Sequence, residues 1–245
     1  MQALRLKLHQ NTAVYRNPVS GEIVESYPLP PPSTVLGLIS SVLKQQELQN
    51  GSFNLSIQGD YGALMRDYQW YKKYNEAIGG YQDRRYPLLV HTLFDVNLLI
   101  HVYATDANVI DKLEALFQCP PYFLYLGRAE DIIKIEEAKV VEIKKQKMMK
   151  SFTLSSNAYI QPKDANAMKV GGIIYHLTSY AKLMPLTIRK QTKLIRDFDW
   201  VELHYIEKDS TTNSYIEIGD DSESKIECWS DDESLLWWSL PNPIL

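Results

Sequence analysis

Residues 2–9 alternate, with Leu4, Leu6 and Leu8 on one side and Ala3, Arg5, Lys7 and His9 on the other. A period of two predicts a strand buried on one face. The pattern breaks over 11–32, and this loop ends in Tyr27-Pro28-Leu29-Pro30-Pro31-Pro32-Ser33-Thr34. Prolines at that density hold the chain stiff and extended. Apolar positions then shift to a period near 3.6, at Val35, Leu38, Ile39 and Val42 with Leu36 and Leu43 beside them. That spacing predicts a helix capped by Ser33 or Thr34. Gly37 falls inside it, at a cost of about 1 kcal/mol relative to alanine, so its expected use is a close backbone approach.

A second strand is predicted over Phe53 to Gly59, after Asn50-Gly51. The stretch from Asp60 to Pro87 fits no core element; Gly79-Gly80 marks a turn near its middle. Strand signals resume at Leu88–Leu93 and Val96–Tyr103. A helix begins near Asp106, with Val109, Ile110, Leu113, Leu116 and Phe117 in period, and stops at Cys119-Pro120-Pro121. Leu124-Tyr125-Leu126-Gly127-Arg128 leads into a strand region from Ile132 to Ile143. The order is strand, helix, strand, insertion, strand, helix, strand. This is the split βαβ order of an α+β, ferredoxin-like/RRM core with two helices on an antiparallel sheet.

Beyond residue 145 the pattern is poorer. Ser151–Ile160, Gly172–Tyr180, Leu203–Glu207 and Ser214–Ile218 read as strands, and Gly219–Glu233 as an acidic loop. Leu235-Leu236-Trp237-Trp238 is too apolar to hang free and is expected to dock on a core or a partner. The expected division is a core over 1–145, with its insertion at about 60–90, and a β-rich C-terminal portion over 146–245.

Composition narrows the class. The 245 residues are 45% hydrophobic and 23% charged, which excludes disordered, collagenous and coiled-coil proteins. Cys119 and Cys228 are too few for a disulfide framework and lack metal-ligand spacing. No apolar run approaches the roughly 20 residues of a membrane span, and the alternating N-terminus is unlike a signal peptide. The expectation is a cytoplasmic protein without membrane contact, cofactor or metal. From Glu207 to Glu233 there are ten acidic residues against two lysines, a net −8, which leaves +4 for the rest of a chain of formal charge −4. A mildly basic body permits a polyanion partner.

The insertion is the richest stretch chemically. From Arg66 to Tyr86 five cations (Arg66, Lys72, Lys73, Arg84, Arg85) interleave with six aromatics, Tyr68 and Trp70 among them. Cations neutralise phosphates while flat rings stack on unpaired bases, as in single-stranded RNA recognition; a solvated hairpin with core-packed tyrosines is the alternative. Ser33-Thr34 at a helix N-terminus behind a proline arm suits an anion, with Arg16 in the returning loop, or is a plain cap. Gly127-Arg128, and Gly171-Gly172 after Lys169, are backbone-approach loops or simple turns. No Walker or Rossmann glycine spacing occurs. For catalysis the best placed pair is His101 with Tyr103 on one strand face, the groups a metal-free ribonuclease would need; a structural strand histidine is the alternative.

Over Tyr15-Arg16 and Ser26 to Ile39, with YPLPPPSTVLGLI opening the helix, the chain resembles the CRISPR-associated RAMP-superfamily subunit of type I Cascade that binds the 5′ handle of crRNA (Cas family five). Pro120 to Arg128, PPYFLYLGR, is similar to that family's second signature; together the two anchor residues 1–135. The resemblance implies an RRM-like core with a thumb inserted between strands 2 and 3, where the Tyr/Lys/Arg-rich insertion lies. It implies a non-catalytic structural role, capping the crRNA 5′ handle and touching a backbone RAMP subunit and the large subunit, with target DNA met only through the complex. By motif position Arg16, Ser33, Thr34, Gly37, Gly127 and Arg128 are the handle-facing candidates, and Tyr68, Trp70, Lys72, Lys73, Arg84 and Arg85 those of the thumb. Two other readings stand: a metal-independent endoribonuclease processing precursor crRNA, as one subtype of the family is, and a protein-interaction module with little RNA contact.

Overall fold

The computed structural model describes residues 1–20, 23–45, 48–75, 79–148, 152–168, 170–188, 191–208, 215–216 and 226–240. The elements run β1 (Gln2–Ala13), β2 (Ile23–Val24), α1 (Pro32–Leu43), β3 (Phe53–Asn75), β4 (Gly80–Ala104), α2 (Ala107–Gln118), β5 (Lys134–Glu142), β6 (Lys144–Met148), β7 (Phe152–Thr153), β8 (Asn157–Ile160), α3 (Pro162–Ala167), β9 (Ile173–Ile188), β10 (Gln191–Ile206), β11 (Tyr215–Ile216), β12 (Ile226–Ser230) and β13 (Leu235–Leu236). The fold is mixed α/β around a largely antiparallel sheet ordered β5-β1-β4-β3-β8-β10-β9, with β2 running parallel beside β4. No helix among the described residues is long and apolar enough to cross a membrane.

The alternation in β1 is what sorts its two faces. Leu4, Leu6 and Leu8 enter a core shared with Leu55 and Ile57 of β3, Leu98, Ile100 and Val102 of β4, Val35, Ile39 and Val42 of α1, and Ile110, Leu113 and Phe117 of α2. Each such side chain contributes about 1.5–3 kcal/mol when fully buried. The opposite face carries Arg5, which pairs in register with His101, itself opposite Ser56. This polar row is roofed by the C-terminal segment. Trp237 N donates to Ser56 Oγ at 3.0 Å, Ser239 N to Leu55 O at 2.6 Å and Leu240 N to Asn54 Oδ1 at 3.2 Å. Trp237 and Trp238 are buried there, as the apolar tail requires.

Several elements differ from the expectations. Of the 60–87 stretch, 60–75 and 80–87 are strand: β3 and β4 are paired from Phe53↔Ala104 to Asn75↔Gly80, with one shift between Lys72 and Tyr74. A ribbon with no core beneath it has no reason to alternate apolar with polar, so periodicity could not mark it. Helix α1 starts at Pro32 with Pro31 as a cap that makes no side-chain hydrogen bond. Proline suits the first helical position because its missing N–H would lack a helical partner anyway, which frees Ser33 and Thr34 from capping. Asp106 does cap α2, its side chain accepting from Asn108 N. The 151–160 stretch divides into β7 and β8, the short α3 follows, and Gly172–Tyr180 and Leu203–Glu207 prove to be parts of the longer β9 and β10. Pro185 is accommodated because β9 is the outermost strand. Of Gly219–Glu233, 219–225 lie outside the described residues and 226–230 form β12.

Candidate nucleic-acid interface

The exposed side of α1 forms one wall of a groove of about 520 Å³; the 122–127 loop and the β9–β10 pair form the others. Ser33, Thr34 and Gly37 come from α1, Tyr125 and Gly127 from the loop, Arg196 and Phe198 from β10. The proline-led motif and the PPYFLYLGR motif therefore meet in one place. Tyr122 ties them, its hydroxyl donating to Ser41 O at 2.8 Å. Ser33 Oγ lies 2.5 Å from Thr178 Oγ1 of β9, joining the helix start to the third wall. Thr34 N and Val35 N both donate to Pro31 O, so the helix end offers an anion fewer N–H groups than an open terminus would. Gly37 is exposed, and a Cβ built on it would meet nothing within 4 Å. The backbone approach expected of it is not to the described chain; the position opens onto the groove.

Gly127 and Arg128 are held by Asp131, a residue absent from the sequence-based candidates. Asp131 is fully buried, and Oδ2 accepts from Val14 N at 3.0 Å, Arg128 N at 2.9 Å and Arg128 Nε at 3.0 Å. Oδ1 accepts from Arg128 Nη2 at 2.9 Å and Thr12 Oγ1 at 3.3 Å. Gln10 Nε2 closes the loop from below by donating to Leu126 O and Asp131 O. Gly127 is obligatory here, because φ is +106° and a Cβ would stand 2.8 Å from Val14 O. Burial would pull the Arg128 guanidinium down, but the Asp131 carboxylate outweighs it and holds the group above its ordinary value. The signal for Asp131 was present as an acid three residues after Arg128, but an acid in a turn carries no mark of its burial.

The β3–β4 ribbon leaves the sheet beside this loop. Its attachment runs through Arg128 Nη1, 3.2 Å from Gln69 Oε1, and through Val14, Val24 and Val90, against which Tyr71 and Leu88 pack. Alternation then places Tyr68, Trp70 and Lys72 on one side, with Arg85 opposite Lys72. Tyr68 and Trp70 are 67% and 69% exposed. Arg84 is exposed as well, while the side chain of Lys73 lies outside the described residues. Arg16 is exposed where its backbone bridges Ser26, two residues beyond the Val14 that abuts Gly127. Among the described residues, α1, the loop and the ribbon are thus joined through Tyr122 and Arg128. Of the Lys169-Gly171-Gly172 loop, Lys169 is outside the described residues, and Gly172 makes the close approach expected, to the Tyr205 carbonyl.

The His101 and Tyr103 pair does not belong to that region. His101 is fully enclosed, with Nε2 2.9 Å from Asp231 Oδ2, and Tyr103 leans on Trp238. Asp231 also accepts from Arg5 Nη1 at 2.9 Å, from Glu233 N and from Ser234 N. Arg5 further reaches Glu137, Asp232 and Glu233. Burial would raise the Asp231 carboxyl; hydrogen bonds from His101, Glu233 N, Arg5 and Ser234 N outweigh it and hold the group far below the carboxylate range. The end of the acidic segment is therefore bound to this chain's own sheet.

Comparison with known proteins bears on the whole arrangement. The family model described as CRISPR-associated protein (Cas_Cas5) matches residues 3–183. No curated protein matches the sequence. Among solved structures, a chain of a "CRISPR RNA-guided surveillance complex" superposes with a TM-score of 0.55 at 13% identity, over 84% of this chain and 90% of that one. A CRISPR protein from Archaeoglobus fulgidus gives 0.47 at 10% identity, over 99% and 100%. At 13% identity the first likeness is one of fold.

Proposed function

Because the chain belongs to the CRISPR-associated protein (Cas_Cas5) family, we propose that it is a non-catalytic RNA-binding subunit of a type I CRISPR surveillance complex that caps the 5′ handle of crRNA. The observation that carries this reading is the groove in which the family's two sequence motifs meet. Strands β1, β3, β4 and β5, ordered β5-β1-β4-β3 with α1 and α2 as crossovers, are read as a ferredoxin-like core, and the β3–β4 ribbon as its thumb. The handle lies in the groove, with Arg16, Ser33, Thr34, Gly37 and Gly127 along it. The ribbon offers unpaired bases the rings of Tyr68 and Trp70 and the phosphates Lys72, Lys73, Arg84 and Arg85. Arg128 acts as a positioning residue, its guanidinium turned to Asp131 and Gln69.

The enclosure of His101 speaks against an endoribonuclease built on that residue, since a general base must reach the proton it takes. The backbone RAMP subunit and the large subunit are the partners this reading requires, with target DNA reached only through them.

The test is binding of guide RNA with and without its repeat-derived 5′ segment, by the wild-type chain and by Gly37→Leu, which fills the groove. Tighter binding of the handle-bearing RNA, lost in the variant, is expected. Equal binding of both RNAs would sink the reading.

A further inference from the structure

One strongly charged segment is left unused by that reading. From Lys182 to Arg196 the sequence holds five cations (Lys182, Arg189, Lys190, Lys193, Arg196) and no acidic residue, in a chain of net −4. Arg189 and Lys190 lie outside the described residues. The rest sit on the β9–β10 pair, which is matched from Tyr205↔Ile173 to Gln191↔Ile188 with one shift between Phe198 and Trp200. Only His204–Ile206 of β10 also pairs with β8. The core reaches into the base of the pair through Leu177, Tyr180 and Leu203. Past that base, 182–187 and 192–197 are exposed except for the half-buried Leu183.

Register decides which way the cations face. Arg196 is opposite Leu183 and on the same side as Phe198 and Ala181, so its side is the one that continues into the groove. Lys193 is opposite Leu186 and lies on the other side, as does Lys182, which is 3.4 Å from Asp199. Two-stranded ribbons are marginal in water unless something packs on them, and this one exposes Met184, Leu186, Leu194 and Ile195. Its charge selects the occupant: Asp197 and Asp199 lie beside Lys182 at the base of the ribbon, but the run 183–196 holds four cations and no acid, which is complementary to a polyanion.

From this we infer that the β9–β10 ribbon is a second RNA-contacting arm, which grips the phosphates of the strand as it passes out of the groove beyond Arg196. The inference rests on the groove reading above and adds a wall to it. Aliphatic side chains between the cations lie against ribose and base faces, and Lys182, Lys193 and Arg196 neutralise phosphates on both sides of the ribbon.

The test is the salt dependence of single-stranded guide RNA binding by the full chain, between about 50 and 200 mM KCl. In single strands each neutralised phosphate contributes about −0.7 to the slope of log K against log salt. The triple variant Lys182→Gln/Lys193→Gln/Arg196→Gln is expected to shallow that slope by about 2. Its charge-conserving counterpart Lys182→Arg/Lys193→Arg/Arg196→Lys keeps the wild-type slope, which separates charge from folding. Neutralising three exposed lysines elsewhere, Lys112→Gln/Lys134→Gln/Lys139→Gln, leaves it unchanged. An unaltered slope in the first triple variant, with Gly37→Leu still weakening binding, would overturn the arm and spare the groove, as would be found if the ribbon docks an acidic protein. An equal effect from the second neutralised set would overturn it too, as diffuse attraction. If neither Gly37→Leu nor the ribbon variant alters binding, both readings fail.

Discussion

Arg5 and Asp231, 226 residues apart in sequence, are joined at 2.9 Å on the face of the sheet opposite the helices. Asp231 is fully buried and Arg5 nearly so, and the bond holds the C-terminal segment against β1. Removing one partner of a buried pair leaves the other uncompensated, typically at 3–5 kcal/mol. Asp231→Asn is therefore expected to lower stability by about 3 kcal/mol at neutral pH, read by thermal or urea unfolding.

The same pair sets an acid limit. The Asp231 carboxyl is held below its ordinary value by His101, Glu233 N, Arg5 and Ser234 N against the opposing effect of burial. A lowered folded pKa gives stability that is complete above the unfolded value, about 3.9, and is lost as pH falls below it. The melting temperature of the wild-type chain should fall steeply from about pH 4 downward. That of Asp231→Asn should start lower and fall less, and parallel curves would exclude Asp231 as the source.

Arg128 offers a sharper question, because its sequence motif points it at RNA while its guanidinium contacts Asp131 and Gln69. A phosphate-binding arginine replaced by glutamine would lower the salt slope by about 0.7. A positioning arginine would leave the slope alone and loosen the loop. Arg128→Gln is expected to keep the wild-type slope while lowering the melting temperature. Asp131→Ala is expected to cost on the order of 3 kcal/mol, since Val14 N and Arg128 lose a buried acceptor.

How much of this the sequence disclosed follows from where the core lies. Leu4, Leu6 and Leu8, Val35 to Val42 and Ile110 to Phe117 face one interior, so their periods were readable and so was the strand–helix order. The β3–β4 and β9–β10 ribbons are exposed over most of their described outer residues, 62–68, 84–87, 184–187 and 192–197, and nothing there selects a period. The first stands out through its rings and cations, and its strand pairing matches the hairpin that was one of its two readings. Of the second, only the core-packed base reads as strand, over Gly172–Tyr180 and Leu203–Glu207, while the five cations from Lys182 to Arg196 are the one signal of its outer half. Asp131 and Asp231 were unreadable for another reason. A buried carboxylate is defined by partners far away in sequence, Val14 and Thr12 for one, Arg5 and His101 for the other.

Tyr68 and Trp70 stand exposed on one side of the β3–β4 ribbon, where truncation removes ring surface without opening a core. Stacking of a base on an aromatic ring contributes about 1–3 kcal/mol by alanine substitution. Tyr68→Ala/Trp70→Ala is expected to weaken guide RNA binding at least tenfold and leave the melting temperature within a degree or two. A wild-type affinity in that variant would assign the rings to protein contact.

Gly37 separates helix stability from groove occupancy. It lies inside α1 where alanine would be favoured by about 1 kcal/mol, and a Cβ there meets nothing within 4 Å. The folded chain alone thus gives no reason for glycine, since its backbone fits an ordinary helix and its neighbours leave room. Gly37→Ala should raise the unfolding free energy by up to about 1 kcal/mol, and Gly37→Leu should also fold. If the groove holds the handle, affinity for handle-bearing RNA falls from Gly37 to Ala to Leu as the side chain fills the space between α1 and Gly127. Opposite trends in stability and affinity, measured on the same preparations by urea unfolding and RNA titration, are the expected outcome. Affinity indifferent to the size of the side chain at position 37 would place the RNA elsewhere on the protein.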